Sequence, residues 1–171
     1  MSVSFIHLHL HSEFSLTDSS IRVPEKPEYA HPAKAPRPNL LSRAVDMGLP
    51  AIAVTDTSNL FALVKFFRAA ESVGIKPIAG ADLWLADEGQ APSRLTLLCQ
   101  NQTGYLNLSR LLSRAYLEGH RGDFVAIYPS WLLAGNEGLI VIAGRESLLA
   151  QHVSGGRDDQ ARELLADWKQ A

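Results

Sequence analysis

Three histidines alternate with aliphatic residues near the start of the chain, in the stretch FIHLHLHSEFSLTDS. They are His7, His9 and His11. Alternate side chains of an extended strand point to one side and lie about 6.5 Å apart, so these imidazoles can converge on one metal ion or on two close ones. Zn²⁺, Mn²⁺ and Fe all accept imidazole nitrogen. Buried, hydrogen-bonded histidines produce the same pattern, so the spacing alone leaves a structural role open.

Two aspartates could add carboxylate oxygens to these imidazoles. Asp56 ends the second predicted strand, AIAVTD, and Asp82 lies in the third, IKPIAGADLWLA. Ligands bind at the carboxyl ends of strands in α/β barrels and open sheets, so these carboxylates would join the histidines in a mixed nitrogen and oxygen site. A helix cap at Asp56 and a paired structural charge at Asp82 are the alternatives.

No other catalytic motif in the sequence competes with this group. A phosphate-binding GxxxxGK[ST] loop, a GxGxxG after a strand, a GxSxG and a CxxC are all absent from it. The single cysteine, Cys99, lies in the apolar run RLTLLCQ, where a buried and inert thiol is expected. His120 lies in the glycine-flanked stretch GHRGDF, which predicts a loop without a role in chemistry.

Strands alternate with helices along the chain, which predicts an α/β fold with a parallel or mostly parallel sheet, open or closed into a barrel. Strands are predicted at 4–10, 50–56, 75–86, 94–100 and 138–144, and helices at 40–47, 60–73, 103–117 and 158–170. Five prolines in the segment 20–38 predict an extended, solvated surface loop. A closed barrel needs about 200 to 250 residues. With 171 residues, the chain is expected to form part of one.

Composition places the chain among folded globular proteins, with 46% hydrophobic and 20% charged residues in a length that suits one domain. A net charge of −2 is too small to indicate a nucleic-acid partner. No apolar run reaches the roughly 18 residues that span a bilayer, and no secretory signal is visible. With one cysteine, these features lead us to expect a cytoplasmic protein without a membrane partner.

Four stretches carry a family resemblance: HLHSEFS, AIAVTD, KPIAGAD and LTLLCQNQTGYLNLSRLLSRAY. In this order they resemble the N-terminal polymerase-and-histidinol-phosphatase (PHP) domain of bacterial DNA polymerase III alpha subunits, from about residue 5 to residue 144. The resemblance implies a distorted (β/α)7 barrel with metal ligands at the carboxyl ends of its strands. Residues 1–171 are then expected to be the N-terminal portion of this domain, with a proline-rich insertion at about 20–38.

The first motif of metal-binding members, HxHxxxS, is intact here. It matches His9, His11 and Ser15, while His7 lies just before it and Asp18 matches an acidic position that follows. The resemblance therefore implies that His9, His11 and Asp18 are candidate metal ligands.

The later motifs are altered. The second, TDH, reads Thr55, Asp56, Thr57, so its histidine is absent. The third, GxE, has Asp82 in place of glutamate, and Arg94 stands where the family often has a histidine. Because two imidazoles are missing and a cation is added, we expect a vestigial site that holds at most one Zn or Mn ion. Its candidate ligands are His9, His11, Asp18, Asp56 and Asp82.

Function follows from how relatives use the domain. Those with altered sites use it as a scaffold and as the docking surface for a separate proofreading exonuclease, and we expect that role within a replicative DNA-directed DNA polymerase, a nucleotidyltransferase. Its Mg²⁺, its DNA contacts and the other holoenzyme subunits would belong to the rest of the parent protein. The alternatives are a metal-dependent 3′–5′ exonuclease or phosphoesterase and, less compatible with this chain length, a free-standing small phosphatase.

Overall fold

The computed structural model describes residues 5–87 and 91–170. The chain divides into two compact units, Met1–Ala81 and Asp82–Ala171. The first unit contains α1 (Leu40–Asp46), β1 (Ala51–Val54), α2 (Leu63–Ser72) and the start of β2 (Lys76–Leu85). The second contains the rest of β2, then β3 (Ser93–Cys99), α3 (Gln102–Glu118), β4 (His120–Arg121), β5 (Phe124–Ile127), α4 (Pro129–Ala134), β6 (Leu139–Ile142), α5 (Leu148–Ser154) and α6 (Asp158–Gln170). Part of the turn predicted at 87–93 lies outside the described residues.

Strand β1 pairs in parallel with β2, from Ala51 opposite Lys76 to Val54 opposite Ala79. All four residues of β1 are buried, as its unbroken apolar sequence predicts for a parallel strand covered on both faces. This arrangement places Thr55 and Asp56 directly after the carboxyl end of β1.

The prediction of a regular first strand at 4–10 is wrong. The described part of this segment makes one isolated parallel bridge, between His7 and Ile52. The backbone N–H of Leu10 bonds to the side-chain hydroxyl of Thr55 at 2.8 Å instead of to a strand carbonyl. The backbone N–H groups of Ala53 and Thr55 donate to the carbonyls of His7 and Leu10, both at 2.8 Å, so the segment lies beside β1 without forming a regular ladder.

Asn39 caps helix α1, whereas Asn59 does not cap helix α2. Asn39 and Ser42 form a reciprocal capping box at the start of α1, and Gly48 follows its end with φ +65°. Helix α2 begins three residues later than predicted. The Asn59 side chain accepts from the N–H of Phe61 at 3.0 Å, which closes a turn ahead of the helix instead of capping it.

The proline-rich segment 20–38 is mostly exposed, as predicted for a surface loop, but the prediction missed that Val23, Pro24 and Ala30 are buried. Val23 and Ala30 are buried among the apolar residues of α1, β1 and α2. The hydroxyl of Ser72 in α2 donates to the carbonyl of Pro27 at 2.9 Å. The amide of Asn39 donates to the carbonyl of Tyr29 at 2.9 Å. These contacts fix the segment on the unit despite its lack of apolar periodicity.

The second unit carries a mixed sheet, with strands in the order β4, β5, β2, β3, β6. Strands β2 and β5 are parallel, whereas β3 and β6 are antiparallel, as are β4 and β5. The expected parallel sheet is therefore corrected to a mixed one. The stretch predicted as a loop around His120 forms the β4–β5 hairpin, because Gly122, with φ +60°, allows a two-residue turn.

Helix α3 starts against a backbone turn that only glycine permits. A Cβ added to Gly104 would overlap the carbonyl oxygen of Gly138, and Gly138 itself has φ +73°. Asn101 caps the helix by accepting from the N–H of Gly104 at 3.0 Å. The two glycines therefore allow the first turn of α3 to contact the loop before β6.

Among the helices of the described ranges, none is long and apolar enough to cross a membrane.

Candidate metal-site residues

Two of the three alternating histidines lie together. The rings of His9 and His11 have centroids 5.0 Å apart and planes tilted by 56°. His7 instead packs edge-on against Phe5, with ring centroids 4.6 Å apart. The pair His9–His11 therefore supplies two adjacent imidazoles in the first unit.

Asp18 lies beside this pair. Its Oδ2 atom is 3.8 Å from Nδ1 of His11, and the hydroxyl of Thr57 donates to the same oxygen at 2.9 Å. The family resemblance implies that Thr57 stands where metal-binding members have the histidine of TDH. The Thr57 hydroxyl instead donates a hydrogen bond to the Asp18 carboxylate.

Asp56 holds the turn that follows the histidines. The backbone N–H of Ser12 donates to its Oδ1 atom at 2.6 Å, the hydroxyl of Ser15 donates to Oδ1 at 2.7 Å, and the hydroxyl of Ser12 donates to Oδ2 at 2.7 Å. Asp56 is only 2% exposed. Both carboxylate oxygens are therefore used within the protein, as an ionised group needs when it is removed from water.

A second set of bonds ties the same turn to the residues after β1. Ser15 accepts from the N–H of Thr57 at 3.0 Å, and the amide of Asn59 donates to the carbonyl of Phe14 at 3.0 Å. The sequence alone gave Ser12 no role and gave Asn59 only the role of a possible helix cap. Two serines three residues apart, followed later by a buried aspartate, are the signal that could have indicated this network.

Asp82 is the buried acid of the second unit. The hydroxyl of Thr96 donates to its Oδ1 atom at 2.7 Å, and Nη1 of Arg94 lies 3.6 Å from Oδ2. Asp82 is 4% exposed. A guanidinium therefore provides the positive charge that this carboxylate requires after burial.

Arg94 is held on three sides. Its guanidinium carbon lies 4.4 Å from the centroid of the Trp84 ring, and Nε lies 3.5 Å from a carboxylate oxygen of Glu146. The backbone N–H of Arg94 also donates to the carbonyl of Glu146 at 3.0 Å. The Arg94 guanidinium is therefore fixed by stacking on Trp84 and by two carboxylates. A lysine has no planar group that could stack in this way.

The first unit offers two adjacent imidazoles for a metal ion, those of His9 and His11. The Asp18 carboxylate lies 3.8 Å from His11, and the oxygens of Asp56 already accept three hydrogen bonds. Metal sites that bind strongly take three or four protein ligands with their own supporting bonds. A second ion at Asp56 would have to displace Ser12 and Ser15.

Cys99 and His120 lie outside the candidate site. Cys99 is only partly buried, not fully buried as expected, but this burial raises the pKa of its thiol from the ordinary value of 9.0 to about 11, which agrees with the expected inert thiol. His120 is an exposed residue of β4.

Comparison with known proteins gives a family match over nearly the whole chain. The model of the family described as "PHP domain" matches residues 7–171. The DNA polymerase III subunit alpha of Xylella fastidiosa is 59% identical over 167 residues, or 97% of this chain. The subunit of the same name from Pseudomonas aeruginosa is 44% identical over 172 residues, or 98% of this chain.

The chain spans only a small part of these relatives, 14% of the Xylella protein and 13% of the Pseudomonas protein. Among solved structures, it is similar to an amidohydrolase from Chromobacterium violaceum with a TM-score of 0.40 and 20% sequence identity. That likeness covers 67% of this chain and 37% of the other.

Proposed function

This chain belongs to the PHP domain family, and we propose that it is the PHP domain of a replicative DNA polymerase III alpha subunit whose metal site has become a scaffold. The relatives named above support the first part of this proposal, since they match almost the full chain. The second part depends on the residues that stand at the motif positions.

The observation that carries the scaffold proposal is the pairing of Arg94 with Asp82. In this family the corresponding positions often hold an imidazole and a carboxylate, both of which bind metal. Here a fixed cation faces the carboxylate, and a divalent ion placed at the same carboxylate would be repelled by it. The acid of the third motif is therefore used to stabilise the fold.

Asp56 supports the same conclusion from the first unit. Its bonds to Ser12 and Ser15 join the first-motif turn to the end of β1. The serine of HxHxxxS thus has a structural use that needs no ion. This accounts for the serine of the first motif although the second motif has lost its histidine.

We propose that the domain serves as the docking platform for a proofreading exonuclease and stands beside other polymerase III holoenzyme subunits. DNA binding, Mg²⁺ and nucleotidyl transfer would be functions of other parts of the complete protein, as expected for a DNA-directed DNA polymerase in DNA replication. We also propose a cytoplasmic location, in keeping with that role.

The test uses the complete alpha subunit and the purified proofreading exonuclease of the same organism. We expect stable binding of the exonuclease that survives the change of His9 and His11 to alanine. We also expect no 3′-exonuclease activity from the alpha subunit alone. Matched samples of wild type and the double variant should show the same urea midpoint within error, which excludes unfolding as the cause of any difference.

A metal-dependent 3′–5′ exonuclease or phosphoesterase is the second candidate, because His9 and His11 lie side by side and Asp18 lies 3.8 Å from His11. A Zn or Mn ion bound there would supply a Lewis acid for phosphate ester hydrolysis. His9 and His11 would hold it, and Asp18 would orient the His11 ring. Trimming of a 3′ end that requires added metal and is lost in His9→Ala, without exonuclease binding, would replace the scaffold proposal with this one.

A further inference from the structure

Two residues of the first unit have a backbone conformation that normally requires glycine. In the described ranges, 5–87 and 91–170, the non-glycine residues with positive φ are Leu16 and Ser58, each at 53°. Leu16 combines this φ with a ψ of −96°, near the values of a γ-turn with a left-handed central residue, which is rare and strained. A β-carbon makes such backbone costly, so both residues raise the free energy of the folded state.

Neither side chain offsets this cost. Leu16 is 83% exposed, so its side chain gains almost nothing from packing. Ser58 is only 5% exposed, yet its hydroxyl has no hydrogen-bond partner among the described residues. The strain at both positions is therefore opposed by bonds that neighbouring residues make.

A hydrogen bond closes each strained turn. The backbone N–H of Asp18 donates to the carbonyl of Ser15 at 3.2 Å, across the first strained residue. The side-chain amide of Asn59 donates to the carbonyl of Thr57 at 2.9 Å, across the second. The hydroxyl of Thr57 also donates to Oδ2 of Asp18 at 2.9 Å, which joins the two turns to each other. We call these two segments the paired turns: 15–18 and 57–59.

The two ends of the first turn are not held equally firmly. The hydroxyl of Ser15 bonds to Asp56, which is 2% exposed, so this end is fixed in the interior of the unit. The side chain of Asp18 is 35% exposed, so water can replace the Thr57 hydroxyl as its partner at little cost. Opening of the turn therefore begins at Asp18, while Ser15 stays bonded to Asp56.

We propose that the paired turns form a strained latch that holds the Asp18 carboxylate beside His11 and can release it. Strain at Leu16 and Ser58 favours opening, and the hydrogen bonds of the paired turns keep the latch closed. In the closed state Oδ2 of Asp18 lies 3.8 Å from Nδ1 of His11. Opening moves this carboxylate away, because Asp18 is only two residues beyond the strained Leu16. This role is independent of the proposed function, since it needs neither a bound ion nor a partner protein.

The residue types favour a latch over a rigid turn. Glycine adopts positive φ without strain, and the chain uses it at Gly48 and Gly74, just after α1 and α2. A rigid turn at position 16 or 58 would be more stable with glycine in the same way. Leucine and serine instead lower the free energy needed to open the paired turns, so Asp18 can leave His11 without unfolding of the whole unit.

The experiment measures amide hydrogen exchange in the complete alpha subunit by mass spectrometry, on peptides that cover the paired turns. Leu16→Gly and Ser58→Gly should each slow this exchange about fivefold or more, because glycine removes the strain that favours opening. Rates are compared after correction for the intrinsic exchange rates of the changed sequences. Peptides from β3 are the reference for the fold and should exchange at wild-type rates in both variants.

Two controls separate backbone strain from the loss of an exposed side chain. Leu16→Ala removes most of the same side chain but keeps the β-carbon, so its exchange should equal that of wild type. Leu117→Gly changes a leucine that is 82% exposed and lies in the regular backbone of α3, so exchange of the peptides from α3 should become faster. Because the two leucines are almost equally exposed, opposite effects of glycine identify the backbone of Leu16 as strained.

Three outcomes would overturn the latch. If Leu16→Gly exchanges as fast as wild type or faster, the backbone of Leu16 does not favour opening. If Leu16→Ala slows exchange as much as Leu16→Gly does, removal of the side chain is the cause and strain is not. Thr57→Val removes the bond to Asp18 and should speed exchange of the paired turns, so an unchanged rate would show that this bond does not keep them closed.

Discussion

The hydroxyl of Ser15 donates a 2.7 Å hydrogen bond to Asp56 and accepts a 3.0 Å bond from the backbone N–H of Thr57. One side chain of the first motif thus joins both residues that follow Thr55 in the second motif. The two motifs hold each other in place through protein atoms alone. Retention of motif residues in this chain is therefore compatible with a purely structural role.

Asp56→Asn should destabilise the first unit by about 3 kcal/mol. Hydrogen bonds to a charged group contribute roughly 1.5–3 kcal/mol each, and the asparagine side-chain NH₂ would face a hydrogen-bond donor of Ser12 or Ser15. The measurement is the free energy of unfolding from urea titration. Asp18→Asn is the control, since Asp18 is more exposed and should cost less than about 1 kcal/mol. Equal effects of the two changes would contradict the role assigned to Asp56.

Arg94→Gln should lower the free energy of unfolding by about 3 kcal/mol, because it leaves the buried carboxylate of Asp82 without its cation. Glu146→Gln removes the other acid beside Arg94, and since the Glu146 side chain is 65% exposed we expect a loss below about 1 kcal/mol. Thermal and urea unfolding of both variants provide the comparison. A neutral Arg94→Gln would show that the charge pair does not stabilise the fold.

Thr57→His should increase affinity for Zn²⁺ at least tenfold. The Thr57 hydroxyl lies 2.9 Å from Asp18, which itself approaches His11, so an imidazole at this position would add a third nitrogen ligand. Isothermal titration with Zn²⁺ measures the gain, and Thr57→Val controls for loss of the hydroxyl. For the wild-type protein we expect at most one Zn²⁺ ion per chain. Two or more bound ions per chain after dialysis against a mild chelator would disprove this.

Cys99 should react slowly with a disulfide reagent at pH 8 and faster as the pH rises towards 11. The raised pKa keeps the thiol protonated, and the thiolate is the reactive form. In the unfolded chain the Cys99 thiol has its ordinary pKa of 9.0, so the unfolded state loses the thiol proton at lower pH than the folded state does. The free energy of unfolding should therefore fall as the pH rises from 9 to 11. Cys99→Ala should lack this contribution to the pH dependence. Rapid labelling at pH 8 in native buffer would contradict the assignment.

The longer helices and strands could be predicted because their periodic or apolar sequence patterns extend over many residues. Helix α3 shows five turns of consistent periodicity, and β1 is an unbroken apolar run. Strand β5 was missed because its four residues give too short a pattern and the preceding GHRGD suggests a loop. The core positions of Val23 and Ala30 were missed because proline removes the periodicity by which a buried segment is recognised.

The residues of the candidate site could be predicted from sequence, but the hydrogen-bond and ring contacts that they make could not. The alternation of His7, His9 and His11 suggested one shared side, but the His9 ring packs against His11 whereas the His7 ring packs against Phe5. The use of Asp56 by Ser12 and Ser15 depends on contacts between residues about 40 positions apart. The spacing of residues along the sequence does not predict contacts between positions so far apart.

The contact between Gly104 and Gly138 has an evolutionary consequence. When a mutation makes two side chains clash, a smaller residue at the neighbouring position can remove the clash. At Gly104 the obstacle to a larger residue is instead the main-chain carbonyl group of Gly138. No single substitution elsewhere removes a main-chain carbonyl. A screen for second-site revertants of Gly104→Ala should therefore return true reversions, or changes that shift the whole turn before β6, and few compensating side-chain replacements.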